Sequence, residues 1–210
     1  MEPLVHPCKI YALMKTPVPP TFRRTLAFGV ALFVATMAWA APGQVVINEI
    51  MYHPPADRED LQFVELYNTG KEAVDLSGWR FSKGLKFTFA NGTKLAPNAY
   101  LVVCSNRAAF ATQYGNDVPL AGEFEGHLSG NGEAVELSDK AKKAVDSVKY
   151  ADDAPWPTAA DGESSSLERI CPTSPGDDPA NWAASNLPEI EAPSGRRGGS
   201  TIRFPQIFRR

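Results

Sequence analysis

The chain has 210 residues, of which 43% are hydrophobic and 21% charged, and a formal net charge of -3 at pH 7. This length suits one domain with flanking segments, and this composition excludes a wholly disordered chain. Four of the 21 basic and one of the 24 acidic residues precede Ala41, which leaves 17 against 23 and a net charge of -6 from there onward. An acidic domain argues against general binding of nucleic-acid phosphates, which requires a basic face.

Residues 1–40 have the three parts of a secretory signal peptide. Arg23 and Arg24 precede an apolar run at 26–35, and small residues follow in the A-x-A pattern Ala38–Ala40. We therefore predict cleavage after Ala40, a secreted, periplasmic or cell-surface protein, and no stable membrane insertion after cleavage. The alternative is an uncleaved membrane anchor, although the run is shorter than the roughly 20 apolar residues of a spanning helix.

From Val45 to Ile170 short apolar runs alternate with turns every 8 to 12 residues or so, which predicts an all-β sandwich. In the run Phe63–Tyr67, the period of two places Val64 and Leu66 on one face of a strand. The continuous apolar run Tyr100–Cys104 predicts a strand that is buried on both faces.

Turn and helix signals divide the rest of this region. Asn91-Gly92 follows the run 87–90 and predicts a type I′ hairpin with residues 93–95. A second hairpin is predicted from 134–138 to 144–150. Arg107–Tyr114 predicts two turns of helix that end at Gly115.

The chain changes character near its end. Residues 187–210 show no strand or helix period and carry five arginines against two glutamates, so we predict a disordered basic tail. Two interpretations are open: contact with an acidic surface or nucleic acid, and non-adapted sequence from a truncated or shifted reading frame. The arginines are Arg196, Arg197, Arg203, Arg209 and Arg210.

The cysteines fit an oxidising compartment. Cys8 is removed with the signal peptide, and Cys104 and Cys171 remain as an even pair. They predict either a disulfide that joins a central strand to the C-terminal end of the domain or two separate buried thiols.

A histidine and three acidic residues lie close together in the first loop. His53 stands before the loop acids Asp57, Glu59 and Asp60, but these match no established metal-ligand spacing, so loose Ca²⁺ capture by the three acids is a minor alternative to a solvated loop. We predict no metal and no cofactor.

Catalytic patterns are equally weak. Glu49 and Glu65 lie within predicted strands and could pair for acid–base work, but strand-face anchoring is favoured because no pocket or orienting group is visible. Ser164–Ser166 lacks the nucleophile context G-x-S-x-G, and His53 and His127 belong to no recognisable triad.

Three tryptophans, Trp79, Trp156 and Trp182, could form a sugar-stacking platform or belong to the core. We favour the core, with Trp156 between two prolines as the one most exposed and therefore available as a binding aromatic.

The order of motifs resembles the lamin tail domain family of the bacterial secreted type. The resemblance rests on the segment 45–79, with its ending Asp75-Leu76-Ser77-Gly78-Trp79, on the run 87–97 before Tyr100–Val103, and on the closing hairpin 130–150. Trp156-Pro157, Ser166–Arg169 and Trp182 extend it to the C-terminal strand.

The resemblance implies an immunoglobulin-like β-sandwich over residues 41–186 that usually has no catalytic activity. We therefore expect a secreted or cell-surface module that binds a protein or cell-surface polymer, with nucleic acid disfavoured. The alternative is an accessory domain or truncated remnant of a larger secreted enzyme, since such domains often accompany nuclease or kinase-like domains.

Overall fold

The computed structural model describes residues 44–56 and 58–185, which form two packed sheets and one α-helix. The predicted signal peptide, its cut after Ala40, the domain limits at 41 and 186 and the tail 187–210 lie outside the described residues. The described strands are β1 (Val45–Met51), β2 (Phe63–Asn68), β3 (Val74–Asp75), β4 (Arg80–Lys83), β5 (Phe87–Thr88), β6 (Lys94–Leu95), β7 (Tyr100–Cys104), β8 (Leu120–Glu123), β9 (Glu133–Ser138), β10 (Ala144–Tyr150), β11 (Leu167–Arg169) and β12 (Trp182–Ala184), and the helix α1 is Arg107–Tyr114.

The larger sheet has the strand order β12-β11-β1-β2-β7-β8, and the smaller has β10-β9-β4-β5. A two-stranded ribbon of β3 and β6 stands beside them. The strands pair antiparallel, apart from β7 and β8. The prediction of an all-β sandwich is confirmed.

Each face of the larger sheet covers its own apolar cluster. The main core lies between the sheets and includes Val64 and Leu66 from one face of β2. Phe63, on the other face, packs with Phe110 and Tyr114 of α1. The predicted alternation in β2 is therefore confirmed.

The helix α1 and the strand β7 also match their predictions. The helix covers Arg107–Tyr114 as predicted, because the Asn106 side chain accepts the Ala109 amide at its start and Gly115 follows it with φ +91°. β7 is buried on both faces, since its side chains enter both clusters.

The Asn91-Gly92 hairpin prediction is wrong. β5 pairs with β4 and β6 pairs with β3, so the turn passes between two sheets instead of joining paired strands. The Thr93 amide donates to Ala90 O, and a positive φ occurs at Gly92 but not at Asn91, which is the pattern of a type II turn. The second predicted hairpin is confirmed as β9 paired with β10.

Of the two alternatives for the cysteines, the disulfide between Cys104 and Cys171 does not form, because Cys104 is a free, buried thiol. Three strand spacings, about 14 Å, separate β7 from β11 across the sheet, whereas bridged Cα atoms lie within about 7 Å. Cys104 contacts Gly122 O at 3.7 Å, and burial raises the pKa of its thiol to about 11.

A buried ion pair joins the two sheets near one edge. Arg169 on β11 donates to Asp146 on β10 at 2.6 Å, with side chains 0% and 7% exposed. The same groups hold β1, because Ile47 N donates to Asp146 and Ile47 O accepts from Arg169. At the opposite edge, Lys86 and Glu125 exchange two backbone hydrogen bonds. The two links hold the sheets together on both sides.

Among the described residues, no helix has the length and apolar character needed to cross a membrane.

Candidate functional site

A cleft of about 230 Å³ opens beside the C-terminal end of β1. Two segments form it: the residues that follow β1 and the loop that precedes β9. Its lining residues are Tyr52, His53, Pro54, Glu59, Gln62, His127, Leu128, Ser129, Gly130 and Asn131.

Gln62 holds the two sides of the cleft together. Its buried amide nitrogen donates to Tyr52 O at 2.7 Å and to Leu128 O at 2.8 Å, and its oxygen accepts from Leu128 N at 2.8 Å. Because these bonds are buried and satisfy both ends of the amide, they set the spacing of the walls. The cleft is therefore preorganised by the fold.

His53 is an ionisable group of this site that has a charged partner. Its Nδ1 lies 2.5 Å from Asp161 Oδ1, and its backbone oxygen accepts from Gly162 N. The ring lies close to two glycines: a Cβ at Gly130 would lie 3.3 Å, and one at Gly162 3.8 Å, from His53 Nδ1. The loop after β10 thus positions the imidazole that lines the cleft.

Tyr52, which lines the cleft, carries a buried hydroxyl that no described residue hydrogen-bonds. Burial and, less strongly, the nearby carboxylates Asp161 and Asp152 raise the pKa of Tyr52 above its ordinary value. The phenol is therefore neutral at physiological pH and keeps an unused hydrogen-bonding capacity.

The loop acids do not surround His53 as a metal site. Asp57 lies outside the described residues, Asp60 is paired with Arg58 at 2.7 Å, and Glu59 is exposed at the cleft. Among the described residues, no three His, Cys, Asp or Glu side chains are arranged to hold a metal ion. Because Arg58 engages both oxygens of Asp60, the carboxylate is not available to a Ca²⁺ ion shared with Glu59.

The structure brings Glu49 and Glu65 together, as the pairing hypothesis required. They are direct cross-strand partners on β1 and β2, and each is 2% exposed. Burial, with the charge of Glu49 beside it, raises the pKa of Glu65 well above its ordinary range. Asn48 donates to Glu65 at 2.9 Å and Ser166 donates to Glu49 at 2.5 Å.

These carboxylates do not line the cleft. Asn48 on β1 and Ser166 just before β11 donate to them, so the pair takes part in the hydrogen bonding that anchors these strands.

The prediction of an exposed Trp156 is wrong. Trp156 is 7% exposed, belongs to the main core, and packs against Trp182 with ring centroids 6.1 Å apart. Burying a large indole against another aromatic outweighs the local effect of its flanking prolines. Trp79 is half-buried against the same core, so the three tryptophans form no exposed platform.

Sequence reasoning missed Asp161 and Gln62 and gave His127 no role. Asp161 is 108 residues from His53 in the chain, and no local pattern links them. Gln62 carried one weak signal: a polar residue between the apolar Leu61 and Phe63 at the start of a buried strand.

One family model matches the chain. It is described as Lamin Tail Domain and covers residues 39–152, more than half of the chain. All ten residues that line the cleft lie within that range, whereas β11, β12 and Asp161 follow it. No curated protein matches the chain at a significant level. Lamin tail domains are immunoglobulin-like and non-enzymatic, which agrees with the two-sheet sandwich, and the chain belongs to the lamin tail domain family.

Proposed function

We propose that this protein is a secreted or cell-surface, non-catalytic binding module whose partner is a protein or a cell-surface polymer. The single observation that carries the proposal is the preorganised cleft beside His53, within the part of the chain that matches the family. A concave site with a few convergent polar groups is the usual form of a binding site in a rigid scaffold.

The non-catalytic part of the proposal rests on the geometry around His53. Its Nδ1 is paired with Asp161, which resembles the base and orienting group of a nucleophilic triad. In the described residues, however, no hydroxyl or thiol hydrogen-bonds to this imidazole. Without a hydroxyl or thiol at the imidazole, the dyad lacks the nucleophile of an acyl-transfer triad, whereas its polar groups can still recognise a ligand.

A capture experiment tests the proposal. The purified full chain is used to retain partners from envelope and secreted extract, in parallel with the variants Asn131→Trp and Asn91→Trp. Asn131 is exposed at the cleft, so the indole obstructs it, whereas Asn91 is exposed in the turn between β5 and β6. Both variants gain the same apolar surface, which makes Asn91→Trp the matched control.

We expect a specific partner that the wild type and Asn91→Trp retain and Asn131→Trp loses. Retention by all three would place the binding surface elsewhere, and no specific partner in any sample would contradict a binding function. The accessory role remains a prediction, and an enzyme among the captured proteins whose activity changes on binding would support it.

A further inference from the structure

The cleft is lined by a carboxylate and two imidazoles, those of Glu59, His53 and His127. Its single formally charged lining residue is Glu59, which is exposed, and no lysine or arginine lines it. Arg58, which precedes Glu59 in the sequence, is engaged by Asp60 through two hydrogen bonds. The charge of Glu59 is therefore not neutralised by its neighbour.

The hydrogen bond to Asp161 determines which nitrogen of His53 faces a ligand. A carboxylate accepts, so Nδ1 carries the proton and the neutral ring keeps its lone pair on Nε2. Nε2 makes no hydrogen bond to a described residue. Asp161 also places a second negative charge directly behind the ring, which favours a cation in front of it.

Other polar groups of the lining are engaged within the protein. Both amide hydrogens of Gln62 are used on Tyr52 O and Leu128 O. The hydroxyl of Ser129 accepts the Asn131 amide at 3.2 Å. The buried Tyr52 hydroxyl has no hydrogen-bond partner among the described residues, and the charges of Asp161 and Asp152 help to raise its pKa.

We infer that this cleft binds the ammonium or guanidinium group of a lysine or arginine side chain on a partner polypeptide, with Glu59 and His53 Nε2 as its acceptors. The inference rests on the proposed binding function and specifies the chemistry of the partner. A donor-rich cation matches a cleft that offers a carboxylate, an imidazole lone pair and no competing cation.

A titration of the full chain tests this inference. The probes are short glycine peptides with one central Lys, Arg or Gln, and the readouts are calorimetry and the ¹⁵N shifts of the His53 ring. We expect the Lys or Arg peptide to bind and the Gln peptide to give no signal. Equal binding of the Gln peptide, or no binding of either cationic peptide, would overturn the inference.

Two charge-neutralising variants refine the test. Glu59→Gln should weaken binding of the cationic peptide about fivefold, the size expected for a partly exposed charge pair. Glu72→Gln, at an exposed glutamate outside the cleft, is the matched control and should change nothing. Asp161→Asn should weaken binding and shift the ring ¹⁵N signals as the tautomer preference is lost. Unchanged affinity in Glu59→Gln would overturn the role of the carboxylate.

The two experiments fail independently. If Asn131→Trp abolishes capture of a partner but the cationic peptides do not bind, the cation inference is wrong and the binding function stands. If no partner is captured but the peptides bind at the cleft, the chemistry of the site is supported and the proposed function is wrong.

Discussion

At the scale of single residues, the most consequential pair is Arg169 and Asp146, which joins the sheets through groups that are almost fully buried. Burial raises the pKa of Asp146 even with Arg169 beside it, which shows how much desolvation the ion pair has to offset. Removing one member leaves an uncompensated charge in the interior, and that is more costly than losing the pair as a whole.

We therefore predict that Arg169→Met lowers the free energy of unfolding by about 3 kcal/mol or more. Urea unfolding at neutral pH measures the change. Arg107→Met, at an exposed position on α1, is the control and should change stability by less than about 0.5 kcal/mol. Equal effects in the two variants would show that Arg169 contributes no more than a surface arginine.

Glu65 predicts a pH dependence with a definite sign. Its pKa is raised in the folded state above the ordinary value of 4.5, so the folded state binds the extra proton. The stability that Glu65 contributes by binding this proton is fully present below pH 4.5 and is lost as the pH rises through the folded pKa. Glu65→Gln keeps an acceptor for Asn48 but cannot ionise, so we expect it to gain stability relative to wild type as the pH rises.

Glu136→Gln is a comparison variant, because the stability contribution of Glu136 has the opposite dependence on pH. Hydrogen bonds from Lys83 and Ser82 lower the pKa of Glu136, so its contribution is present above pH 4.5 and is lost as the pH falls through the folded pKa. Unfolding curves across the pH range measure both differences. A Glu65→Gln variant whose stability relative to wild type is independent of pH would contradict the assignment of a raised pKa.

At the scale of elements, two turns with the same Asn-Gly dipeptide have different surroundings. Gly92 and Gly132 have φ of +83° and +85°. A Cβ on Gly92 would meet nothing within 4 Å, whereas one on Gly132 would lie 2.7 Å from Tyr150 O. The first turn passes between sheets and is open, whereas the second lies against the end of β10, the strand that pairs with β9.

Alanine at the two glycines separates backbone strain from steric conflict. Gly92→Ala should cost about 1 kcal/mol, the penalty for placing a side chain at positive φ. Gly132→Ala carries the same penalty and a clash with backbone that cannot move freely, so we expect it to cost at least about 2 kcal/mol more. Thermal unfolding of the pair measures the difference, and equal costs would rule out the close contact with Tyr150 O.

Prediction from sequence succeeded for elements whose pattern is local. β7, β10 and α1 begin and end at the predicted residues because period, caps and turn residues all lie within the segment. It failed for pairings, as with β5 and β6, because a dipeptide determines a turn but not the partner of the strand that follows. Strand order and side-chain packing also decide the surroundings of Cys104 and Trp156, so the sequence left the pairing of Cys104 open and gave the wrong exposure for Trp156.

At the scale of the whole molecule, the cleft depends on contacts between distant segments. His53 at the end of β1 is held by Asp161 from the loop after β10, and Gln62 joins the start of β2 to the loop before β9. The sequence predicted the sandwich and the family but not this site, because the groups that form it converge only when both sheets are assembled.

The central claim is that this lamin tail domain binds its partner through the cleft beside His53. The most direct measurement is the dissociation constant of a captured partner for the wild type, Asn131→Trp and Asn91→Trp. We predict binding at least about tenfold weaker for Asn131→Trp, as for a central interface position, and within about twofold of wild type for Asn91→Trp. Equal affinity of Asn131→Trp and wild type would contradict the claim.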